Sequence, residues 1–461
     1  MLSRQLTVIP NYICGGSRRI FSAILLVAPL LMSSVGGVAA QTVTLSDAFD
    51  RMLDREVQYE ILDIEQNIAE ELVRQARGER YPRVGLNIQY IQTQQEIVNQ
   101  DNTTFQEGTS EYPTTSVTFS VRQPLFDRIL WRALPQAEAE QELVGAQAVV
   151  ARNQLTMMLI GAYLDVARSQ MGVEQGRIMV RARSQLAADL DLMVDAGTIG
   201  VDSYLRAQSD VFEARALVAE REFDQTTALF ELYRFTGSDV IAVSYAGASV
   251  GIPNYQALVG TFSLDRLHDV SPAIQVALAE LDVAQRQQDI AKASFLPTAD
   301  VTLDFSYEET EGSLFGGGST VQSVELGLNA DLLIYEGGNR RSRVREADAR
   351  VHISELRVQQ TVELTDRRYE ALMAAMERSL ASVNAISVEQ GAAGRRLSAA
   401  IEQEDAGRIG PEAALEARLR RDTLGLQGQI ARLRVVQIQA EILALFGALD
   451  VQTLSRDFSG T

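Results

Sequence analysis

From Leu45 to Arg77 apolar residues recur at Leu45, Ala48, Phe49 and Met52 and again at Ile61, Ile64, Ile68 and Leu72, the spacing of one helical face. Gly78 and Pro82 end this helix. The period then falls from about 3.6 to two. In VGLNIQY (84–90), Val84, Leu86, Ile88 and Tyr90 face one way and Gly85, Asn87 and Gln89 the other; SVTFSVR (116–122) sets Val117, Phe119 and Val121 against Ser116, Thr118, Ser120 and Arg122. Both predict strands that are apolar on one face only, joined by a long polar connection (91–115). From about Arg128 to Asp195 the chain has little proline and no strand pattern, and Pro135 is tolerated near the first turns of a helix. At 1.5 Å per residue, one helix over that range reaches on the order of 100 Å.

The same order then occurs a second time. Ser271 and Pro272 supply an N-cap and a proline at the first helical position, and Pro297 closes that helix. ADVTLDFSYE (299–308) and SVELGLNAD (323–331) alternate as the first pair does, with Val301, Leu303, Phe305, Tyr307, Val324, Leu326, Leu328 and Ala330 on the apolar side. A glycine-rich connection (309–322) joins them. A second long helix is expected from about Asn339 to Asp405. Chain-long duplication of this kind decides the architecture before any single motif does.

Each long helix ends in a near-identical stretch, DAGTIGVDSYLRA (195–207) and DAGRIGPEAALEA (405–417). Gly197 and Gly407 supply the left-handed residue that stops one helix, Gly200 and Gly410 cap the next, Pro411 suits its first position, and Asp202 and Glu412 place negative charge on its positive end. These are tight helical hairpins. The return helices run roughly 35 residues, half the outgoing length, so the first helix and its return helix, end to end, match one long helix. Alternating strands of this kind suit a transmembrane β-barrel or an antiparallel sheet half-buried on a soluble core. Four strands do not close a barrel, which takes about eight, so the sheet stays open or several chains contribute to one barrel.

Arg4, Arg18 and Arg19 precede an apolar run, IFSAILLVAPLLM (20–32), and Val38 and Ala40 occupy the small-residue positions of a signal-peptidase site, so residues 1–40 read as an export signal and Gln41 as the mature start. SRRIF (17–21) carries an arginine pair, read as ordinary n-region charge. Cys14, the single cysteine, precedes the apolar run and is no lipid attachment site; the mature chain then has no disulfide and no thiolate ligand. Signal removal takes away three arginines and no acids, leaving 39 cations and 61 acids, a net charge of −22. Such a chain is a poor binder of nucleic acid. Lys292, the only lysine, is flanked by alanines, which excludes a P-loop, and His268 and His352 stand in no metal-ligand spacing. No cofactor, metal or catalytic constellation is expected; paired-carboxylate hydrolysis has no nucleophile or histidine arrangement behind it. Beyond Gln41 no run approaches the roughly 20 apolar residues of a membrane-spanning helix.

QPLFD (123–127), its counterpart LLIYEGGNRRSRV (332–344), HDVSPAIQVALAELDVAQ (268–285) and the turns at Ala196 and Ala406, in this order, resemble the TolC-like outer-membrane factor family over nearly all of 42–449. The resemblance implies a mainly α fold with a small β part: a homotrimer whose four strands per chain make one 12-stranded transmembrane barrel, above a helical tunnel through the periplasm. It divides the chain into the signal (1–40), a first repeat (41–237), an equatorial linker (238–266), a second repeat (267–449) and a tail (450–461). It implies a passive exit duct in the outer-membrane lipid, recruited by a periplasmic adaptor and an inner-membrane transporter. The polar strand faces would then line the lumen, with Asp300, Asp304, Glu308, Glu325 and Asp331 making it acidic. At the periplasmic tip, Asp195, Gly197, Asp202, Glu404, Asp405, Gly407, Arg408 and Glu412 become gate candidates, with Arg408 pairing a tip carboxylate; Ser203 and Ala413 stand where some relatives carry an acid. The alternative is a periplasmic structural or adaptor coiled-coil protein without a channel.

Overall fold

The computed structural model describes residues 41–96, 109–237, 240–244, 260, 262–312 and 317–451. The expected export signal, much of the linker and most of the tail lie outside them. In chain order the elements are β1 (Gln41–Val43), α1 (Leu45–Arg55), α2 (Val57–Gly78), β2 (Arg83–Glu96), β3 (Thr109–Asp127), α3 (Arg128–Asp195), α4 (Val201–Thr236) and β4 (Val240–Val243). There follow α5 (Leu264–Val270), α6 (Pro272–Ala293), β5 (Thr298–Thr310), β6 (Ser319–Asp331), α7 (Asn339–Asp405) and α8 (Pro411–Leu445).

The two long helices, of 68 and 67 residues, fill the ranges read from the sequence. Pro135 lies inside α3 without ending it. The first helical run differs from expectation, because Glu56 is extended (φ −72°, ψ 106°) and splits it into α1 and α2. The break lets α1 turn Leu45, Ala48 and Met52 into a central core while α2 buries a different set, Leu62, Ala69 and Val73, as it runs along α3. Thr44 starts α1 with a reciprocal capping box: its Oγ1 accepts from the Asp47 amide (3.1 Å), and the Asp47 carboxylate accepts from the Thr44 amide (3.3 Å).

α3 packs on α2, α4, α6 and α8, and α7 packs on α6 and α8. The short helices meet near the middle of the long ones. α4 ends at Gly237 (φ +59°), whose carbonyl accepts from Arg55 Nη1 at the end of α1 (3.4 Å). α8 ends at Leu445 and is capped by Phe446, followed by Gly447 (φ +64°), where a Cβ would stand 3.0 Å from Pro272 at the start of α6. Two apolar cores lie at these junctions. One gathers Met52, Leu159, Ile160, Tyr163, Leu164, Leu232, Phe235 and Val436; the other gathers Phe262, Leu267, Leu372, Met376, Ile438 and Phe446, and α8 contributes to both. One 18-residue window of α3 is apolar enough to cross a membrane, contrary to expectation. Part of the apolar content of α3 fills the first core, where Leu159, Ile160, Tyr163 and Leu164 are fully buried.

A two-stranded parallel sheet, β1 with β4, sits at the same level and has no counterpart in the sequence reading. The second sheet is antiparallel in the order β2-β3-β5-β6, which joins the two expected hairpins through β3 and β5. Its strands run longer than the alternating cores suggest, β2 through Glu96 and β3 from Thr109, so the polar connection shrinks to 97–108. Threonines and tyrosines in those flanks pair across the hairpin, as Thr93 does with Tyr112.

Candidate functional site

The register of the sheet places its side chains. Asp300 stands opposite Asn329, Thr302 opposite Gly327, Asp304 opposite Glu325 and Ser306 opposite Ser323. On the other flank Ser120 meets Asp304, Thr118 meets Ser306 and Ser116 meets Glu308. Directly opposed residues share a face, so these groups, with Asn87 and Gln89 of β2, form one polar surface. The other surface carries Leu86, Ile88, Phe119, Leu303, Phe305, Val324, Leu326 and Leu328. Leu326 is 76% exposed and Leu328 71%. Among the described residues both outer strands, β2 and β6, keep one edge unpaired.

All five sheet carboxylates expected on one face follow the alternation, but they are not equivalent. Asp300 accepts from Arg122 Nη2 (2.7 Å) and from Asn329 Nδ2 (3.3 Å) and is buried, so its charge is balanced across the strands. Asp304 and Glu325 oppose each other as like charges. Glu308 stands beside Val321, and Asp331 beside Thr298 at the helical end of the sheet. Arg122 is the residue that the sequence reading left out of the charge balance; its place in the same alternation was the available signal.

The helical turns lie at the far end of α3 and α7 from the strands. Gly197 (φ +69°) and Gly407 (φ +68°) hold the left-handed conformation, and the amides after them reach back, Thr198 to the Met193 carbonyl (3.0 Å) and Arg408 to that of Gln403 (2.8 Å). Gly200 and Gly410 are the N-caps, with Asp202 and Glu412 in the first turns that follow. The two turns are neighbours: a cleft of about 420 Å³ is lined by Arg183, Ser203, Arg206 and Asp210 from the first hairpin and by Glu412 and Glu416 from the second.

The expected pairing of Arg408 with a tip carboxylate is absent, as no ion pair joins Arg408 to any described residue. The ion pair seen beside the first turn belongs to Arg206. Its Nε donates to Asp202 (2.9 Å), one helical turn back, and Asp202 holds the guanidinium above the usual arginine range, with Glu412 adding to the effect from the other hairpin. The Asp202/Arg206 spacing was the signal for this pair. Asp195 and Asp405 end the long helices, both exposed. Among the described residues no group of three His, Cys, Asp or Glu side chains could hold a metal ion.

Residues 61–238 and 264–448 match the family described as Outer membrane efflux protein. The chain belongs to that family. It is accordingly an outer-membrane protein with the family's channel fold. It is 30% identical to Protein CyaE of Bordetella pertussis over 265 residues, which is 55% of this chain and 52% of CyaE, so the match spans about half of that relative. It is 22% identical to the Outer membrane protein TolC of Vibrio cholerae over 340 residues, 69% of this chain and 72% of TolC. Among solved structures, the CmeC outer membrane channel of Campylobacter jejuni superposes with a TM-score of 0.74 at 13% identity, covering 90% of this chain and 89% of CmeC. The chain itself combines a small four-stranded sheet with long paired helices.

Proposed function

We propose that three copies of this chain close one 12-stranded barrel in the outer membrane and that the joined helices continue it as a periplasmic duct. Solutes or unfolded polypeptide would pass through it passively. A periplasmic adaptor and an inner-membrane transporter would supply energy and select cargo, and the chain itself would do no catalysis. The observation that carries this reading is the sheet: one face carries a band of apolar side chains from Leu86 to Leu328, with Leu326 and Leu328 largely exposed, the other face is polar, and both edge strands are open among the described residues. Open sheet edges are not tolerated in hydrocarbon, and closure by identical neighbours removes them. A soluble coiled-coil protein has no use for a face that exposes Leu326 and Leu328 to water.

The helices support the same assembly. α2 exposes Ile61, Ile64, Ile68 and Leu72, the stripe seen in the sequence, and α7 exposes Ile353, Leu356 and Leu364 on the opposite flank of the chain's helical layer. These two flanks would meet between copies. Residues 41–237 and 267–449 would then act as the two repeats around the linker at 238–266.

In this arrangement the polar sheet face lines the lumen with five carboxylates, Asp300, Asp304, Glu308, Glu325 and Asp331, against Arg83 and Arg122. The excess acid would favour cations. At the periplasmic end, Gly197 and Gly407 would keep the turns tight while Asp195, Asp202, Asp405, Arg408 and Glu412 present charge to neighbouring copies, Arg408 having no carboxylate partner among the described residues. Conductance in planar bilayers tests the reading: cation-preferring pores are expected, and anion preference or no pores would overturn it.

A further inference from the structure

The two halves differ where strand gives way to long helix. In the first half, QPLFD continues β3 directly into α3, and Phe126 packs edge-on against Trp131 (5.9 Å between centroids). In the second half β6 stops at Asp331, and LLIYEGG (332–338) forms no strand or helix. Its apolar side chains find no cover among the described residues of the chain: Ile334 is 90% exposed and Tyr335 83%, with Leu332 and Leu333 each more than half exposed. Four arginines follow at once, Arg340, Arg341, Arg343 and Arg345, in a chain whose formal net charge is −19.

Helix stability does not account for those arginines. α7 has no acidic residue in its first turn and no side-chain cap at Gly338, and cations near a helix N-terminus oppose its dipole. Nor do local ion pairs use them all. Glu336 serves both Arg340 (3.4 Å) and Arg343 (2.8 Å), and Glu346 is paired with Arg350 (2.6 Å). Arg341 and Arg345, one turn apart on α7, are exposed and have no carboxylate among the described residues. Arg128 and Lys292, also at strand-helix junctions, share that condition.

We propose that residues 332–345 bind anionic phospholipid in the periplasm-facing leaflet, with Leu332, Leu333, Ile334 and Tyr335 in the acyl boundary and Arg341 and Arg345 on the headgroup phosphate. An apolar run beside clustered arginines is the amphipathic pattern of an interfacial anchor, and each basic residue near an anionic surface adds about 1 kcal/mol. This rests on the barrel reading above, since the sheet sets the depth of the segment. It assigns to the junction a lipid preference that the apolar belt alone would not give.

Native mass spectrometry of the detergent-solubilised full-length protein, titrated with phosphatidylglycerol or with phosphatidylethanolamine, tests it. The native protein should hold phosphatidylglycerol preferentially. The double variant Arg341→Gln/Arg345→Gln should weaken that binding roughly tenfold or more, and Arg341→Lys/Arg345→Lys should keep most of it. Arg395→Gln/Arg396→Gln, far along the same helix, should leave it unchanged. Equal retention of both lipids by the native protein, or unaltered phosphatidylglycerol binding in the glutamine variant, would overturn the proposal. Bilayer conductance of the same preparations separates the two readings: pores together with either of those binding results sink the lipid site alone, whereas no pores removes the barrel and the lipid site with it.

Discussion

Asp300 and Asp304 lie four residues apart on one face of β5 and have different surroundings. Asp300 is held by Arg122 and Asn329, whereas Asp304 faces Glu325. Neutralising the second pair, as Asp304→Asn/Glu325→Gln, should relieve repulsion by roughly 0.5 kcal/mol and lower the cation preference of the pore, read from reversal potentials in a salt gradient. Asp300→Asn should instead reduce thermal stability, because it removes the charge-assisted bonds from Arg122 and Asn329 that hold this buried side chain, with little change in selectivity. Tyr163 makes a third case. Fully buried on α3, its hydroxyl lies 3.2 Å from the Val43 carbonyl as donor and also reaches the Ser244 carbonyl, so it ties β1 and the residue after β4 to the long helix. Tyr163→Phe should cost about 1–2 kcal/mol in thermal or denaturant unfolding. Burial also pushes the Tyr163 phenol well above its ordinary value of 10.0. The folded state therefore keeps a proton that the unfolded chain releases near that pH. The stabilisation is whole below pH 10 and declines as pH rises beyond it, so the alkaline fall in melting temperature should be shallower in Tyr163→Phe.

At the scale of elements, the tip turns depend on a backbone that only glycine adopts readily. Gly407→Ala at φ +68° should destabilise the α7–α8 hairpin by roughly 1–2 kcal/mol, seen as faster amide exchange around 400–415 with the sheet unaffected. Gly176 has a different reason: a Cβ there would approach Val218 Cγ2 to 2.8 Å, so it permits the close packing of α3 on α4. Much of this architecture was readable from the sequence because its signals are local: the αL glycines, the period change at strand starts, and two long stretches without a helix stop. The break at Glu56 was not, since the residues on both sides suit a helix and only the direction of the core separates α1 from α2. β1 and β4 were not either, being three and four residues long and paired across the chain. For the sites, alternation was enough to assign the faces of the carboxylates. The counterions of Asp300 and Asp202 needed the strand register and the helical-turn spacing, which is why Arg122 and Arg206 went unassigned and Arg408 was expected in a pair it does not make.

At the scale of the whole molecule, the proposed assembly answers what one chain leaves open. Among the described residues the sheet is open at β2 and β6, and α2 presents Ile68 at 53% exposure in a stripe with no partner there. Ile64→Asp/Ile68→Asp should therefore block assembly while sparing the helical content of the monomer by circular dichroism, because these side chains lie outside both cores. The claim on which the rest depends is that three chains share one barrel. Native mass spectrometry of the protein extracted from outer membranes in detergent reads the copy number directly. A particle of three chains is expected, and a stable single chain or an even-numbered assembly would contradict it.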